Sequence, residues 1–126
     1  MIFSKIKEVV GIFTAPKTVV SRFENLIAWL NIHNYKNDSE IKFQNLKIKS
    51  PSKQLIKAGL WEIFVSLDYY FKTKNQKPII IDAGANIGIA SLFFKLLHPN
   101  SQITAFEPDP NANKYCCENV ARNNLS

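Results

Sequence analysis

The sequence predicts an α/β fold with a parallel pair of strands in its second half. Residues 79–81 form a short, wholly apolar run, as expected for a strand buried on both faces of a parallel sheet. A glycine-containing turn over residues 82–88 separates this run from an apolar helical pattern over residues 89–98. A second apolar strand follows at residues 102–106. This order of strand, helix and strand favours a crossover connection within one sheet.

The segments before the first parallel strand divide into two further units. Apolar residues recur at steps of three and four over residues 2–13, and again over residues 19–30 after Pro16 breaks the pattern. These two patterns predict an N-terminal helical segment, residues 1–35.

The lead-in unit, residues 41–78, changes to a period of two. The alternation begins at Ile41 and slips by one residue at Gln44 and Asn45, which predicts either a tight hairpin or one bulged strand. Residues 53–72 fit one helical face, and a charged connector leads from there to the first parallel strand.

The third unit, residues 79–126, is predicted to be a partial cofactor-binding domain that ends in a helix over residues 111–124. Asp109 is predicted to cap this helix, with Pro110 at its first position. A sheet with only two strands leaves one long edge of residues 79–82 unpaired, and we expect this edge to promote association.

Charge is distributed unevenly along the 126 residues, whose formal net charge is +6. Residues 1–78 hold 13 Lys and Arg against 6 Asp and Glu, and residues 79–126 hold 3 against 4. A basic half can attract nucleic acid or an anionic membrane. The lysines are scattered singly, however, so an ordinary solvated surface is the preferred interpretation and no nucleic-acid partner is predicted.

The two cysteines, Cys116 and Cys117, are adjacent within a predicted helix. Neighbouring cysteines rarely bridge, and two side by side do not make a metal site, so neither a disulfide nor a metal is expected. No run of about 18 apolar residues is present, and the first residues lack a signal-peptide core. These observations predict a cytoplasmic protein without a transmembrane segment.

The turn after the first parallel strand has the residue types of a nucleotide-cofactor loop. Gly84 lets the backbone turn sharply and brings a ligand against the main chain, and Gly88 is expected to let the next helix pack close to the strand, with free N–H groups directed into the crevice. Asp82 can orient the loop or accept from a cationic ligand. Twenty-five residues later, Glu107 ends the second strand and can accept two hydrogen bonds from a ribose.

The spacing of the glycines favours one cofactor over another. A dinucleotide fingerprint needs glycine at three offsets, but Asn86 and Ile89 stand where the second and third would be. S-adenosylmethionine has no pyrophosphate and therefore tolerates Asn86 beside its amino-acid part. The sequence thus predicts S-adenosylmethionine rather than NAD as the cofactor.

Two segments, Asp-Ala-Gly-Ala-Asn-Ile-Gly at residues 82–88 and Ala-Phe-Glu-Pro-Asp-Pro at residues 105–110, resemble the FkbM-type S-adenosylmethionine-dependent methyltransferases. Residues 61–71 resemble that family's lead-in more loosely, so the resemblance covers residues 41–126. It implies the N-terminal part of a class I, Rossmann-like methyltransferase fold, truncated after the second strand–helix unit. It also implies O-methyl transfer to hydroxylated small molecules such as sugars or natural products.

The resemblance implies that the glycine loop cradles the methionine part, that Glu107 holds the ribose and that Pro108 lies near the adenine. The cofactor-binding residues predicted from the turn and the resemblance together are Asp82, Gly84, Ala85, Asn86, Gly88, Glu107 and Pro108. No general base is placed by a motif, so no catalytic residue is nominated. For Tyr69 and Tyr70, core packing is preferred and cofactor contact is the alternative.

Several functions remain open at this point. The first is a truncated methyltransferase that is inactive as an isolated chain. The second is a non-catalytic remnant that binds a nucleoside ligand or a partner protein. The third is a fragment of an NAD-dependent oxidoreductase, which the glycine spacing disfavours. The fourth is a basic adaptor whose N-terminal helices lie on an anionic membrane.

Overall fold

The computed structural model describes residues 22–34 and 39–125. The expected helix over residues 2–13 lies outside these residues. In chain order the elements are α1 (Arg22–Asn31), a 3-10 turn (Ile32–Asn34), β1 (Glu40–Phe43), β2 (Leu46–Lys49), α2 (Lys53–Leu60), a π-helical turn (Trp61–Val65), β3 (Ile79–Ala83), α3 (Ile89–Leu97), β4 (Gln102–Phe106) and α4 (Pro110–Arg122). None of the described helices is long and apolar enough to cross a membrane.

β1 and β2 form a tight antiparallel hairpin, which decides between the two alternatives left open by the alternation. Ile41 pairs with Ile48 and Phe43 pairs with Leu46, and all four side chains are buried on one face. Gln44 opens the two-residue turn with φ of +52°. The slip in the pattern is therefore the turn itself and not a bulge.

The helical face expected over residues 53–72 is shorter than the sequence pattern indicated. Ser52 caps α2 by accepting from Leu55 N at 3.3 Å, and regular helix ends at Leu60. The π-helical turn follows, and the chain then leaves helical geometry because Leu67 has φ of +61°. A right-handed helix cannot continue through a residue of positive φ.

β3 and β4 pair in parallel, with Ile80 opposite Ile103 and Asp82 opposite Ala105, which confirms the parallel prediction. The expectation that residues 79–81 are buried on both faces is wrong. Ile80 is 8% exposed, but Ile79 and Ile81 are 75% and 68% exposed. Successive side chains of a strand point to opposite faces, and the elements of the described chain cover only the face that carries Ile80.

One continuous core joins the hairpin to the α/β unit. Phe64 of the π-helical turn makes edge-on ring contacts with Phe43 of β1 and Phe93 of α3, with centroid distances of 5.3 and 5.2 Å. Edge-to-face aromatic pairs contribute about 0.5–1.5 kcal/mol beyond the area that they bury. The lead-in unit is thereby fixed against α3, the helix that follows the glycine loop.

Candidate functional site

The loop between β3 and α3 alternates residues of positive φ. Gly84 has φ of +82°, Asn86 of +50° and Gly88 of +87°. Glycine adopts this region without steric penalty, and asparagine is among the few other residues that tolerate it. The identities of all three residues therefore follow from the path of the backbone, which turns sharply away from the strand as the sequence predicted.

The backbone amides of this loop are used for holding its shape. The N–H groups of Gly84 and Ala85 both donate to the carbonyl oxygen of Phe106, at 2.8 and 3.0 Å. Gly88 N donates to the carbonyl oxygen of Ala85 at 2.8 Å. The Gly88 amide thus closes the turn. That the free N–H groups at the start of the next helix point into the crevice stays a prediction.

Glu107 lies beside the glycine loop at the carboxyl end of β4, as expected. Its Oε2 accepts from Asn86 N at 2.8 Å, and its Oε1 accepts from Asp109 N at 2.9 Å. A carboxylate offers about four lone-pair positions, so each oxygen retains capacity for a further donor. The carboxylate thus fixes the loop and can still accept from a pair of hydroxyl groups.

Asp82 is the last buried side chain of β3, with 6% of its surface exposed. Its Oδ2 accepts from the hydroxyl of Ser91 on α3 at 2.6 Å. Hydrogen bonding of this kind is what allows a carboxylate to remain buried. Ser91 was not predicted from the sequence as a site residue. It could have been found from its position three residues after Gly88, because the first turn of α3 lies beside the end of β3.

The two glycines of the loop serve different purposes. A Cβ built on Gly84 meets no atom within 4 Å, so the space beside this residue is open. A Cβ on Gly88 lies 3.0 Å from Cys116 Sγ and 3.3 Å from Cys116 Cα. Gly88 therefore permits close packing against α4. The close approach of α3 to the strand at this residue stays a prediction.

A cleft with a volume of about 200 Å³ opens beside the loop. Of the predicted binding residues, Asp82, Gly84, Ala85 and Asn86 line it, whereas Gly88, Glu107 and Pro108 do not. The other lining residues come from the loop, from the start of α3 and from the lead-in unit: Leu55, Ala58, Gly59, Glu62, Ile63, Tyr69, Ala83, Ile87, Ile89 and Ala90. The lead-in wall was not predicted from the sequence, apart from the alternative stated for Tyr69.

The two tyrosines of the lead-in unit differ in their surroundings, and contact of either with a cofactor stays a prediction. Tyr70 is half-buried and packs against the core. Tyr69 is 42% exposed and lines the cleft, with its ring 6.2 Å from that of Phe94.

Gly59 allows the lead-in wall to approach the loop. A Cβ on Gly59 lies 2.7 Å from Cδ1 of Ile89, the first residue of α3. Contacts this short are not found between real atoms, so a larger residue at position 59 requires the Ile89 side chain to move. Gly59 therefore leaves room for the Ile89 side chain at the wall of the cleft, which both residues line.

Asn119 of α4 ties the loop to the hairpin. Its Nδ2 donates to the carbonyl oxygens of Ile87 and Lys49, each at 2.8 Å, and its Oδ1 accepts from Lys49 N at 2.8 Å. One turn later, Asn123 pairs in the same manner with the backbone of Lys47, at 2.8 and 2.9 Å. The two amides thereby satisfy the outer edge of β2 and hold α4 across it.

The adjacent cysteines have different surroundings. Cys116 is buried beside Gly88, and Cys117 is exposed; both are free thiols. Burial raises the pKa of the Cys116 thiol above its ordinary value, and the neighbouring Cys117, Asp82 and Glu107 raise it further. Cys116 is therefore a protonated packing residue at neutral pH.

Metal-ligand geometry is not found near the cleft. Within residues 22–34 and 39–125, no group of three or more His, Cys, Asp or Glu side chains is arranged to hold a metal ion.

Curated proteins similar to this chain are named methyltransferases. "Methyltransferase sdnD" of Sordaria araneosa is 42% identical over 65 residues, which cover 52% of this chain and 23% of that protein. "Methyltransferase 1" of Beauveria bassiana is 37% identical over 65 residues, or 52% and 26% of the two chains. "2-O-methyltransferase NoeI" of Sinorhizobium fredii is 44% identical over 43 residues, or 34% and 18%.

The matched region spans about a quarter or less of each relative, between 18% and 26% of their lengths. No family model matches the chain, and no solved structure matches it. The similarity is thus to one part of proteins named methyltransferases, and the described elements are compatible with a mixed α/β fold of partial Rossmann type.

Proposed function

We propose that this chain carries the S-adenosylmethionine-binding part of an O-methyltransferase of the FkbM type. The observation that carries the proposal is the hydrogen bond of 2.8 Å from Asn86 N to Glu107 Oε2. It joins the acidic end of β4 to the glycine loop after β3, so that a carboxylate and an open stretch of backbone adjoin one another. The names of the relatives support the same reaction class.

The residues present fit the proposed cofactor. The open space beside Gly84 accommodates a ligand against the main chain, where any Cβ would intrude. Glu107 retains acceptor capacity on both oxygens for the two ribose hydroxyls. Asp82 lines the cleft and supplies a negative charge near the methionine part. When bound, the cofactor supplies an activated methyl group attached to a sulfonium.

A dinucleotide fits the same loop poorly. Pyrophosphate is held by free backbone amides at the start of a helix. In this loop the amides of Gly84, Ala85 and Gly88 donate to carbonyl groups of the protein, and that of Asn86 donates to Glu107.

The acceptor in this proposal is a hydroxylated small molecule such as a sugar or natural product. The name of the Sinorhizobium fredii relative, a 2-O-methyltransferase, supports transfer to oxygen. We assign no general base, and we propose that the chain by itself does not turn over. The exposed face of β3, together with the fraction of each relative that is matched, supports a fold that is part of a larger methyltransferase.

The second candidate is a non-catalytic remnant that binds a nucleoside ligand or a partner protein. The specific observation in its favour is the same exposed apolar face, on which Ile79, Ile81 and Phe106 are 75%, 68% and 58% exposed. Apolar side chains grouped in this way are typical of surfaces that contact another polypeptide.

Calorimetric titration of the chain with S-adenosylhomocysteine and, separately, with NAD distinguishes the cofactors. We expect binding of the first ligand and no heat with the second. Tight binding of NAD without a response to S-adenosylhomocysteine contradicts the proposal. Incubation with labelled S-adenosylmethionine and a pool of hydroxylated acceptors tests turnover. We expect no methyl transfer by the chain alone, and measurable transfer would contradict the inactivity that we propose.

A further inference from the structure

The lead-in wall of the cleft is built from a segment with two backbone irregularities. The π-helical turn Trp61–Val65 is closed by Ser66 N, which donates to the carbonyl oxygen of Trp61 at 2.8 Å. One residue further on, buried Leu67 has φ of +61°, a region that a leucine rarely adopts. Both kinds of irregularity are found at functional sites more often than elsewhere.

These irregularities determine which side chains reach the cleft. Asp68 N donates to the carbonyl oxygen of Glu62 at 3.2 Å, and Tyr70 N donates to that of Leu67 at 3.0 Å. The chain is thereby folded back so that Glu62 and Tyr69 line the same cleft as the glycine loop. A straight continuation of α2 would carry residue 69 about 10 Å along the helix axis from residue 62.

The charge of the cleft is opposite to that of the chain. The chain has a formal net charge of +6, yet the residues that line the cleft include two carboxylates, Glu62 and Asp82, and no Lys, Arg or His. An aromatic face beside carboxylates favours a cationic ligand through the negative potential of its ring. The cleft therefore has the chemistry of a site for a small organic cation.

We propose that Glu62 and Tyr69 form a cation-binding wall that holds the ammonium group of the amino-acid part of the cofactor. The inference rests on the proposed function and extends it to residues outside the glycine loop. The carboxylate of Glu62 accepts from the ammonium, the ring of Tyr69 offers it a π face, and Asp82 supplies the second negative charge. Glu62 and Tyr69 are then specificity residues that distinguish the complete cofactor from simpler nucleosides.

The test uses two nucleosides that differ in the amino-acid part. S-adenosylhomocysteine carries the ammonium, whereas 5′-methylthioadenosine has the same thioether and adenosine but lacks the amino-acid part. Both are titrated calorimetrically into the 126-residue chain and its variants. Glu62→Gln removes the charge from the wall. Asp68→Asn is the matched control, because Asp68 lies in the same segment and is exposed but does not line the cleft.

We expect Glu62→Gln to lower the affinity for S-adenosylhomocysteine about tenfold, the scale of one hydrogen bond to a charged group. The same variant should change the affinity for 5′-methylthioadenosine by less than about twofold. Asp68→Asn should leave both affinities within about twofold. Tyr69→Leu should lower the affinity for S-adenosylhomocysteine more than that for 5′-methylthioadenosine. Tyr69→Phe, which keeps the ring, should bind S-adenosylhomocysteine as wild type does. Circular dichroism of each variant establishes that the fold is retained.

The inference is overturned if Glu62→Gln leaves the affinity for S-adenosylhomocysteine unchanged, or if it weakens both nucleosides equally while wild type binds them. In that case the proposed function stands, because the chain still binds the cofactor product. Failure of the wild-type chain to bind either nucleoside contradicts the proposed function itself, and the cation-binding wall with it.

Discussion

Asn119 pairs with the backbone of Lys49 in both directions, accepting from its N–H and donating to its carbonyl oxygen, each at 2.8 Å. The same amide donates to the carbonyl oxygen of Ile87 in the glycine loop. One fully buried side chain thus joins α4, the hairpin and the candidate site. Four residues later, Asn123 makes the equivalent pair with Lys47 at the exposed end of the same strand.

We expect Asn119→Ala to lower the free energy of unfolding by about 2–4 kcal/mol, since it leaves buried backbone groups without partners. Asn123→Ala is the matched control and should lower it by less than about 1 kcal/mol, because water replaces the lost bonds at the exposed site. Urea unfolding followed by circular dichroism measures both. Equal losses in the free energy of unfolding for the two variants would contradict the claim that burial makes the Asn119 hydrogen bonds the more stabilising pair.

The two loop glycines provide a second comparison. Gly84→Ala places a side chain at positive φ but in open space, and we expect it to lower the free energy of unfolding by about 1–2 kcal/mol. Gly88→Ala adds an overlap with Cys116 at 3.0 Å, so its loss should exceed that of Gly84→Ala by at least about 1 kcal/mol. Chemical unfolding of the two variants in parallel tests this order. The reverse order would contradict the packing of Gly88 against α4.

Cys116 predicts a dependence of stability on pH. Because burial raises the pKa of its thiol in the folded chain, the folded state binds the proton more tightly than the unfolded state. Its contribution to stability is present below the ordinary thiol pKa, about 8.5, and is lost as the pH rises through the raised value. The urea concentration at the midpoint of unfolding should therefore fall more between pH 8 and pH 10 for wild type than for Cys116→Ala. Identical slopes for the two proteins would exclude this contribution.

The bare face of β3 predicts self-association. Ile81 is 68% exposed on β3, which among residues 22–34 and 39–125 pairs with β4 alone, and an exposed apolar strand with an open edge promotes aggregation. We expect the wild-type chain to elute from a sizing column as oligomers and Ile81→Lys to shift it toward the monomer. Ile27→Lys, at a residue of α1 that is 43% exposed, is the control and should leave the profile unchanged. A monodisperse wild-type monomer contradicts this prediction.

The elements predicted correctly are those that local sequence determines. Apolar runs and the glycines of the loop placed β3, α3 and β4 to within two residues, and the capping by Asp109 followed from its position before Pro110. Local sequence also put Glu107 at the end of β4. Parallel pairing then accounts for its position beside the glycine loop, because the carboxyl ends of parallel strands adjoin, whereas the hydrogen bond with Asn86 was not predicted.

The features that were missed depend on residues distant in sequence. Asn119 carries no local sign that its partner is a strand 70 residues away. The exposure of Ile79 could not be predicted from an apolar run, because burial depends on which elements cover each face of the sheet. The positive φ of Leu67 is imposed by packing and is contrary to the preference of leucine. The lead-in wall of the cleft depends on that same residue.

The affinity of the Glu107→Ala variant for S-adenosylhomocysteine tests the central claim most directly. The claim is that the carboxylate beside the glycine loop holds the ribose. We expect Glu107→Ala to weaken binding by about 1.5–3 kcal/mol, the scale of hydrogen bonds to a charged group. Glu118→Ala is the control; its carboxylate pairs with Lys49 at 3.3 Å on the surface, and the variant should bind as wild type does. Equal affinities of wild type and Glu107→Ala for S-adenosylhomocysteine would contradict the claim.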